Sequence, residues 1–398
     1  TAKLSVLDNN KLAKMDLKNE KETNLALEKI RNSSFNITKI STKRVRRNPM
    51  PPFTTSTLQQ EASNKLGFGA SRTMRIAQKL YEGINIGSET TGLITYMRTD
   101  GVQLSTQAID ELRSEITNLH GKEYIPKLPR IYKSKAANAQ EAHEAIRPTA
   151  ISRHPESMSS YLDAEQLKLY ELIWRRTISS QMQSAELDET AADISNENKS
   201  IVFRANGSQV HFPGFFIYRD RDDDKILPHL IENENVGLEK TDGEQHFTQP
   251  PPRYTDASLI KKMEELGIGR PSTYASILQV LVNRNYVEKD RGKHVPQERG
   301  RILTAFLNNF FGQYIEYDFT ADLEKKLDKV SDGKLNYKKL LEEFWNGFKP
   351  HLNKMSELER EKILEALEKE LADLFFPKNE ENTNAKLNRK CPTCSNGN

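Results

Sequence analysis

Two segments with the alternating pattern of β-strands lie on either side of a long segment with helical spacing. The first covers residues 1–48 and the second covers residues 185–248, as in Phe35-Asn36-Ile37-Thr38-Lys39-Ile40 and Ser200-Ile201-Val202-Phe203-Arg204. Successive side chains of a strand point to opposite faces of a sheet, so both segments are predicted to be β-rich. Because the two patterns are alike, we expect the segments to share one domain into which the helical segment is inserted.

The inserted segment carries apolar side chains at helical spacing. Its clearest helix is predicted over residues 164–182, because apolar side chains recur there every three or four positions. The predicted core face consists of Leu167, Tyr170, Ile173, Trp174 and Ile178. A break between the first strands and the helical segment is predicted at Asn48-Pro49-Met50-Pro51-Pro52, since proline interrupts regular hydrogen bonding.

A second helical segment begins after residue 250. Residues 255–290 predict two helices joined by a tight turn at 267–271 and followed by a basic hairpin. Helix, turn, helix and hairpin are together typical of a winged-helix DNA-binding fold, with an ordinary helical hairpin as the alternative. A further packing helix with an acidic outer face is predicted over residues 356–375.

We therefore expect an α+β fold with several domains. A β-rich domain would contain residues 1–54 and 183–248, and a mostly helical domain would contain residues 55–182. A second helical domain with winged-helix features would contain residues 249–380, and a linker with a cysteine pair would occupy 381–398. A length of 398 residues is sufficient for two to four such domains.

Composition excludes some classes of protein. No apolar run approaches the roughly 20 residues of a membrane-spanning helix, and two cysteines cannot form a disulfide framework. The net charge of +3 is too small to indicate a nucleic-acid partner. Basic side chains nevertheless cluster at 43–47 and at 291–301. Such clusters can bind phosphates, and solvated loops are the equally weighted alternative.

The clearest chemistry lies in the decapeptide Gly92-Leu93-Ile94-Thr95-Tyr96-Met97-Arg98-Thr99-Asp100-Gly101. A short apolar strand is predicted to deliver Tyr96 into a polar turn, with Arg98 two residues further along. A tyrosine ionises near pH ~10, so its attack on a phosphodiester needs a nearby positive charge. Arginine suits this task because its planar fork binds phosphate oxygens in pairs. The pattern alone also fits a half-buried strand tyrosine.

A second block, residues 141–149, combines a histidine with an arginine. His143 could bind a phosphate or relay a proton, and Arg147 offers a phosphate fork. A lone histidine is more often structural. The presence of three blocks with basic and hydroxyl side chains favours the functional interpretation here.

The third block, residues 251–273, places two arginines beside the predicted helix turn. Arg253 precedes the first helix and Arg270 lies in the turn. Ser272 and Thr273 are predicted to begin the second helix, whose free N–H groups can bind an anion. Each feature is weak alone, and their order along the chain carries the argument.

Three segments of this chain resemble motifs of the bacterial type IA DNA topoisomerase I family, and they occur in the same order. They are GLITYMRTDG, AHEAIRPT and PPRYTDASLIKKMEELGIGRPSTYASIL. The segment at 52–62, PFTTSTLQQEA, is similar to that family as well. Met97 resembles the topoisomerase I branch, since the topoisomerase III branch usually carries proline after the tyrosine. The resemblance extends over essentially the whole chain.

This resemblance implies a transesterase built on part of a toroidal core. Tyr96 matches the family nucleophile, which attacks single-stranded DNA and holds its 5′ phosphate while another strand passes, so that negative supercoils relax without ATP. Arg98 matches the residue that steadies the phosphate, and His143 matches a histidine near the scissile strand. Arg147, Arg253, Arg270, Ser272 and Thr273 fall in motifs expected to bind DNA. Asp100 is expected to orient Arg98 or the turn.

The same resemblance implies an N-terminal Toprim domain whose acidic residues bind Mg²⁺. The only Asp-x-Asp spacing here, within 220–224, is read as a solvated turn. We therefore expect a fragment without that domain, unable to relax supercoiled DNA alone. Cys391 and Cys394 resemble half of a four-cysteine zinc ribbon, so zinc is expected in a longer protein and not here.

The expected partners are single-stranded and negatively supercoiled DNA and the missing Toprim domain. We expect a monomer in the bacterial cytoplasm, with no membrane association. One alternative is a non-catalytic module that binds single-stranded DNA. A tyrosine recombinase is a second alternative, although its nucleophile should follow the arginine and histidine set, whereas Tyr96 precedes His143 and Arg147.

Overall fold

The computed structural model describes residues 1–87, 89–133, 144–219 and 225–375, apart from the side chains of Asp373 and Phe375. The chain forms two compact units. The first contains Thr1–Leu58, Lys65–Gly67 and Arg72–Pro252. The second contains Gln59–Asn64, Phe68–Ser71 and the residues from Arg253 onward. The four-part division expected from the sequence stays a prediction.

An antiparallel sheet joins the two β-rich segments of the first unit. The strands are β1 (Lys3–Leu7), β2 (Asn10–Lys11), β3 (Phe35–Arg47), β4 (Ile84–Asn85), β5 (Thr90–Thr91), β6 (Ala185–Ser195), β7 (Ile201–Phe212) and β8 (Asn235–Val236). Six of them form one sheet in the order β2-β1-β7-β6-β3-β8, and β4 pairs with β5. The long middle strands therefore come from both sides of the helical segment.

The helices of the inserted segment pack into a buried core. They are α2 (Thr55–Leu66), α3 (Ala70–Glu82), α4 (Thr106–His120), α5 (Pro155–Met158) and α6 (Ala164–Ser180). Helix α1 (Glu20–Arg31) lies outside this segment, between β2 and β3 along the chain. Helices α2 and α3 contribute residues to both units. On α6, four of the five residues predicted for the core face are buried, and Leu167 is half-buried. Within the described residues, no helix is long and apolar enough to span a membrane.

The first basic cluster lies on β3 and is matched by acidic side chains of β6. Arg44 pairs with Asp188 at 3.0 Å, Arg46 with Glu186 at 2.9 Å, and Arg47 with Glu189 at 2.8 Å. The antiparallel register places Arg44 opposite Asp188 and Arg46 opposite Glu186. These pairs are exposed and contribute little stability, but they offset most of the positive charge that could bind phosphates.

The second unit contains the predicted helix–turn–helix and hairpin. Its elements are α7 (Asp256–Leu266), α8 (Tyr274–Asn283), β9 (Val287–Asp290), β10 (Lys293–Pro296), α9 (Glu298–Ile315), α10 (Tyr317–Ser331), α11 (Tyr337–Ser356) and α12 (Arg360–Phe375). Gly267 and Gly269 both have positive φ, at 71° and 81°, which explains why glycine occupies these turn positions. Helix α8 begins one residue later than predicted, with Thr273 rather than Ser272 at its N-cap.

A buried ionic cluster ties the hairpin to two helix ends in the second unit. The Asp256 side chain is only 7% exposed, and Oδ1 lies 2.8 Å from both His294 Nε2 and Lys289 Nζ. Its Oδ2 accepts a hydrogen bond from the Ala70 backbone N–H at 3.1 Å. Burial alone would raise the pKa of Asp256. The hydrogen bonds from His294, Lys289 and Ala70 outweigh it and hold this pKa well below its usual range.

Replacing Asp256 by asparagine is expected to destabilise the second unit by about 3 kcal/mol, because it removes a buried carboxylate that accepts hydrogen bonds from His294, Lys289 and Ala70. A carboxylate with a lowered folded pKa stabilises the protein above its unfolded pKa of about 4 and loses that contribution at lower pH. Urea unfolding of the wild type should therefore show falling stability below about pH 4. The Asp256→Asn variant should lack this step. Equal pH profiles for the two proteins would contradict the account.

Candidate active site

The backbone that leads to Tyr96 is held between two other segments of the first unit. The Thr95 N–H donates to the Arg147 carbonyl at 2.9 Å, and the Thr149 N–H donates to the Leu93 carbonyl at 3.0 Å. Ile94 and Pro148 form an isolated antiparallel bridge. The expected strand before Tyr96 is thus a single bridge and not a regular strand. The second sequence block, after residue 143, supplies its partner.

Burial alternates along this segment and leaves Tyr96 and Arg98 at the surface. Met97 and Thr99 are each 2% exposed, whereas Tyr96 is 38% exposed and Arg98 is also exposed. Alternation places residues two apart on the same side of an extended chain. Tyr96 and Arg98 are therefore exposed on either side of the buried Met97. The Arg98 guanidinium makes no hydrogen bond or ion pair with the residues that the structure describes.

The C-terminal end of α3 supports the Tyr96 ring. Tyr81 contacts Tyr96 edge-to-face, with ring centroids 5.3 Å apart and an interplanar angle of 65°. The Leu93 N–H donates to the Leu80 carbonyl at 2.7 Å. A Cβ on Gly92 would lie 2.5 Å from the Tyr81 carbonyl oxygen, so only glycine permits this approach. The Tyr81 ring and the close backbone contact at Gly92 thus limit the directions in which the Tyr96 phenol can point.

The Arg147 side chain binds to neighbouring residues of its own segment. Its guanidinium lies 2.8 Å from Glu144 and donates to the Pro148 carbonyl at 3.0 Å, and its side chain is only 16% exposed. Burial raises the pKa of Glu144. The hydrogen bonds from Ser105 and the charge of Arg147 have a larger, opposite effect, so this pKa is lowered overall. This geometry favours a structural role for Arg147, and its expected contact with DNA stays a prediction.

Removal of either partner of the Glu144–Arg147 pair should destabilise the first unit by about 1–2 kcal/mol, because the remaining half-buried charge loses its hydrogen bonds. Arg147→Ala and Glu144→Ala should cost similar amounts, and the double variant little more than one of them. Arg153→Ala is the matched control, since its pair with Glu89 at 3.2 Å is more exposed. Additive losses in thermal unfolding would refute this coupling.

The predicted DNA-binding residues of the second unit differ in their surroundings. Arg253 is exposed. Arg270 pairs with Asp328 at 2.6 Å and lies 3.6 Å from Glu324, both on α10. Burial lowers the pKa of Arg270, but these two acidic groups raise it overall.

The hydroxyl of Thr273 forms a hydrogen bond within the turn between α7 and α8. Its Oγ1 accepts from the Arg270 N–H at 2.8 Å, whereas Ser272 is exposed. The roles of Arg253, Arg270, Ser272 and Thr273 in binding DNA stay predictions.

Three residues named from the sequence lie outside the described part of the chain. They are His143, Cys391 and Cys394. Among the described residues, no group of three or more His, Cys, Asp or Glu side chains could hold a metal ion. The described residues thus provide no cluster of three such ligands for the Mg²⁺ that the resemblance implies.

Sequence reasoning overlooked two side chains that shape this site. The hydroxyl of Thr55 contacts the segment on both sides of Arg98, and Tyr81 flanks Tyr96. Thr55 lies within a segment already singled out for its likeness to a family, but nothing local indicates which of its hydroxyl groups turns inward. Tyr81 carries no sequence signal, since its contact depends on the path between α3 and Tyr96.

The fold and the exposed pair of Tyr96 and Arg98 can be compared with those of known proteins. A family model described as DNA topoisomerase matches residues 1–342. The chain belongs to this DNA topoisomerase family.

Individual relatives agree with this assignment. "DNA topoisomerase 1" of Rickettsia felis is 49% identical over 404 residues, covering 100% of this chain and 51% of the relative. "DNA topoisomerase 1" of Zymomonas mobilis is 44% identical, covering 100% of this chain and 32% of the relative. The chain thus spans about half, or less, of the length of these curated relatives.

A solved structure of full-length topoisomerase I from Thermotoga maritima is also similar. Its TM-score is 0.75 at 36% sequence identity, and the match covers 88% of this chain and 56% of that chain. The expected α+β multidomain class of the type IA topoisomerases is confirmed by this match.

Proposed function

We propose that this chain carries the nucleophile of a type IA DNA topoisomerase, an isomerase that relaxes negatively supercoiled DNA without ATP. The observation that carries the proposal is the exposure of Tyr96 and Arg98 in a segment where Met97 and Thr99 between and beside them are buried. Family membership supports the same reaction. The proposed substrate is single-stranded DNA within negatively supercoiled DNA, and the proposed setting is a monomer in the bacterial cytoplasm.

In the proposed reaction, the Tyr96 phenolic oxygen attacks a DNA phosphorus atom. A bond forms between this oxygen and phosphorus while the bond from phosphorus to the 3′ oxygen breaks. The phenol loses its proton and the departing 3′ oxygen gains one, so the step is balanced. The new phosphotyrosine conserves the energy of the phosphodiester, and the 3′ hydroxyl reverses the step after strand passage. No nucleotide cofactor is therefore required.

Arg98 has the geometry to stabilise the phosphate during this attack. It lies two residues from Tyr96, is exposed, and makes no hydrogen bond or ion pair within the described segments. A planar guanidinium can donate two parallel hydrogen bonds to phosphate oxygens as negative charge develops there. We propose that His143 acts nearby on the scissile strand. Asp100 is assigned to orienting Arg98 or the turn.

The remaining binding residues are proposed to guide the single strand. Arg253 is exposed and can contact phosphates directly, whereas Arg147 and Arg270 would have to exchange acidic partners for DNA. Ser272 and Thr273 would contribute from the turn before α8. Mg²⁺ and zinc belong to this proposal only as ions of the longer protein, and Cys391 with Cys394 would supply half of a zinc site.

The polarity of the covalent bond tests this proposal. Purified chain is mixed with a Toprim domain from a family member, Mg²⁺ and a single-stranded oligonucleotide labelled at either its 5′ or its 3′ end. Attachment to the 5′ phosphate leaves the downstream fragment on the protein, so only the 3′ label should remain with it under denaturing conditions. Retention of the 5′ label would indicate recombinase-like chemistry. Binding without any adduct would favour a non-catalytic DNA-binding module.

A further inference from the structure

Thr55, the first residue of α2, contacts the active segment from its buried side. It is fully buried, and its Oγ1 donates to the Met97 carbonyl at 2.7 Å. The same oxygen accepts from the Thr99 N–H at 2.8 Å. In addition, the Thr55 backbone N–H donates to the Thr99 carbonyl at 2.9 Å.

These contacts bracket Arg98. The Met97 carbonyl belongs to the peptide group that precedes the Arg98 Cα, and the Thr99 N–H belongs to the peptide group that follows it. A peptide group is planar, so holding both groups leaves the two backbone torsions of Arg98 little freedom. One hydroxyl therefore fixes the direction in which the Arg98 side chain leaves the backbone.

Capping of α2 does not account for the Thr55 hydroxyl. Its neighbour Thr54 already performs that task, since the Thr57 N–H donates to Thr54 Oγ1 at 3.2 Å. The partners of the Thr55 hydroxyl instead lie 42 and 44 residues away along the chain. They are found only in the segment that presents Tyr96 and Arg98.

We propose that Thr55 is a positioning residue, whose hydroxyl holds Arg98 in register with Tyr96 for phosphate binding. This role rests on the proposed function, because it concerns the arginine assigned to the phosphate. Positioning matters for such a group, since a displacement of about 1 Å can cost roughly a hundredfold in rate. The hydroxyl acts through Arg98 and does not touch DNA.

The first test measures backbone hydrogen exchange in the 398-residue chain, without DNA. Thr55→Ser and Thr55→Ala form a matched pair that differs only in the hydroxyl, and Thr55→Val preserves the side-chain volume. Exchange in a peptide covering residues 97–101 should rise in the alanine and valine variants and stay near wild type in the serine variant. Thr57→Val, which removes a hydroxyl from the same helix end, should leave that peptide unchanged. Equal exchange in the serine and alanine variants would overturn the proposal.

The second test is a double-mutant cycle on adduct formation, with Toprim domain and Mg²⁺ supplied. Thr55→Ala should lower the rate about ten- to a hundredfold, and Thr55→Ser should restore most of it. If Thr55 acts through Arg98, Thr55→Ala should cost little more once Arg98→Ala is present. Full additivity would indicate a purely structural role and refute the positioning proposal.

The two proposals can fail separately. A wild-type chain that forms no adduct would count against the proposed function, while the exchange measurement would still decide whether Thr55 holds the Arg98 backbone. Conversely, a normal adduct in Thr55→Ala would leave Tyr96 as the nucleophile and overturn only the role of Thr55.

Discussion

Replacing Tyr96 by phenylalanine should abolish the covalent complex with DNA while leaving the fold intact. The change removes only the phenolic oxygen and retains the ring, so the edge-to-face contact with Tyr81 should persist. Without that oxygen no phosphotyrosine can form, and the loss should exceed about 10⁴-fold. The measurement is denaturing electrophoresis of chain, Toprim domain, Mg²⁺ and an end-labelled single strand.

The neighbouring phenol provides the control for this prediction. Tyr81 is 41% exposed and contacts the Tyr96 ring. Tyr81→Phe should retain the adduct, because it preserves the ring that packs against Tyr96 and removes only a hydroxyl that does not attack the phosphate. Adduct that survives Tyr96→Phe and disappears in Tyr81→Phe would reverse the assignment. Binding of the single strand to Tyr96→Phe should stay within about twofold of wild type, since the ring and nearby cations remain.

Replacing Arg98 by alanine should slow adduct formation about 10²- to 10³-fold, the usual cost of losing one donor to a developing oxyanion. The thermal unfolding temperature should change little, because the side chain is exposed and has no described ion pair or hydrogen bond. Arg98→Lys should recover only part of the rate, since lysine keeps the charge but cannot donate the paired hydrogen bonds.

An exposed arginine elsewhere in the first unit separates this effect from a general loss of positive charge. Arg31 is the exposed last residue of α1. Arg31→Ala therefore removes one positive charge from an element outside the segment that carries Tyr96 and Arg98. Single-turnover rates should be unaffected by Arg31→Ala and strongly reduced by Arg98→Ala. Equal and small effects from both would leave Arg98 without a role at the phosphate.

Local sequence patterns predicted the features that depend on near neighbours. Alternation and helical spacing identified the β-rich segments, the core face of α6 and the turn at Gly267 and Gly269. Each of these follows from which face a side chain occupies or which backbone torsions it tolerates. The family resemblance drew attention to Tyr96 and Arg98 because their motif is contiguous, and their roles stay predictions.

Contacts between distant segments were beyond those patterns. The basic residues of β3 looked available for phosphates, but the antiparallel register sets Arg44 opposite Asp188. Arg147 looked like a phosphate fork, but it pairs with Glu144, which also accepts a hydrogen bond from the Ser105 N–H, 39 residues away. Such pairings depend on strand register and loop course, which single-segment periodicity does not encode.

The contact from Thr55 to the Arg98 backbone belongs to the same category. Several hydroxyl groups follow one another at the start of α2, and only the fold shows that this one turns toward residues 97 and 99. The resemblance drew attention to the motif without indicating the physical task. That task follows from the two peptide groups that the hydroxyl holds.

Peptide mapping of the covalent complex tests the central claim most directly. The adduct is formed with a 3′-labelled single strand, digested with protease and nuclease, and analysed by mass spectrometry for a nucleotide bound through its 5′ phosphate. The account predicts that the modified residue is Tyr96, within the peptide that contains Thr95 and Met97. A nucleotide attached to any other residue, or to Tyr96 through a 3′ phosphate, would contradict it.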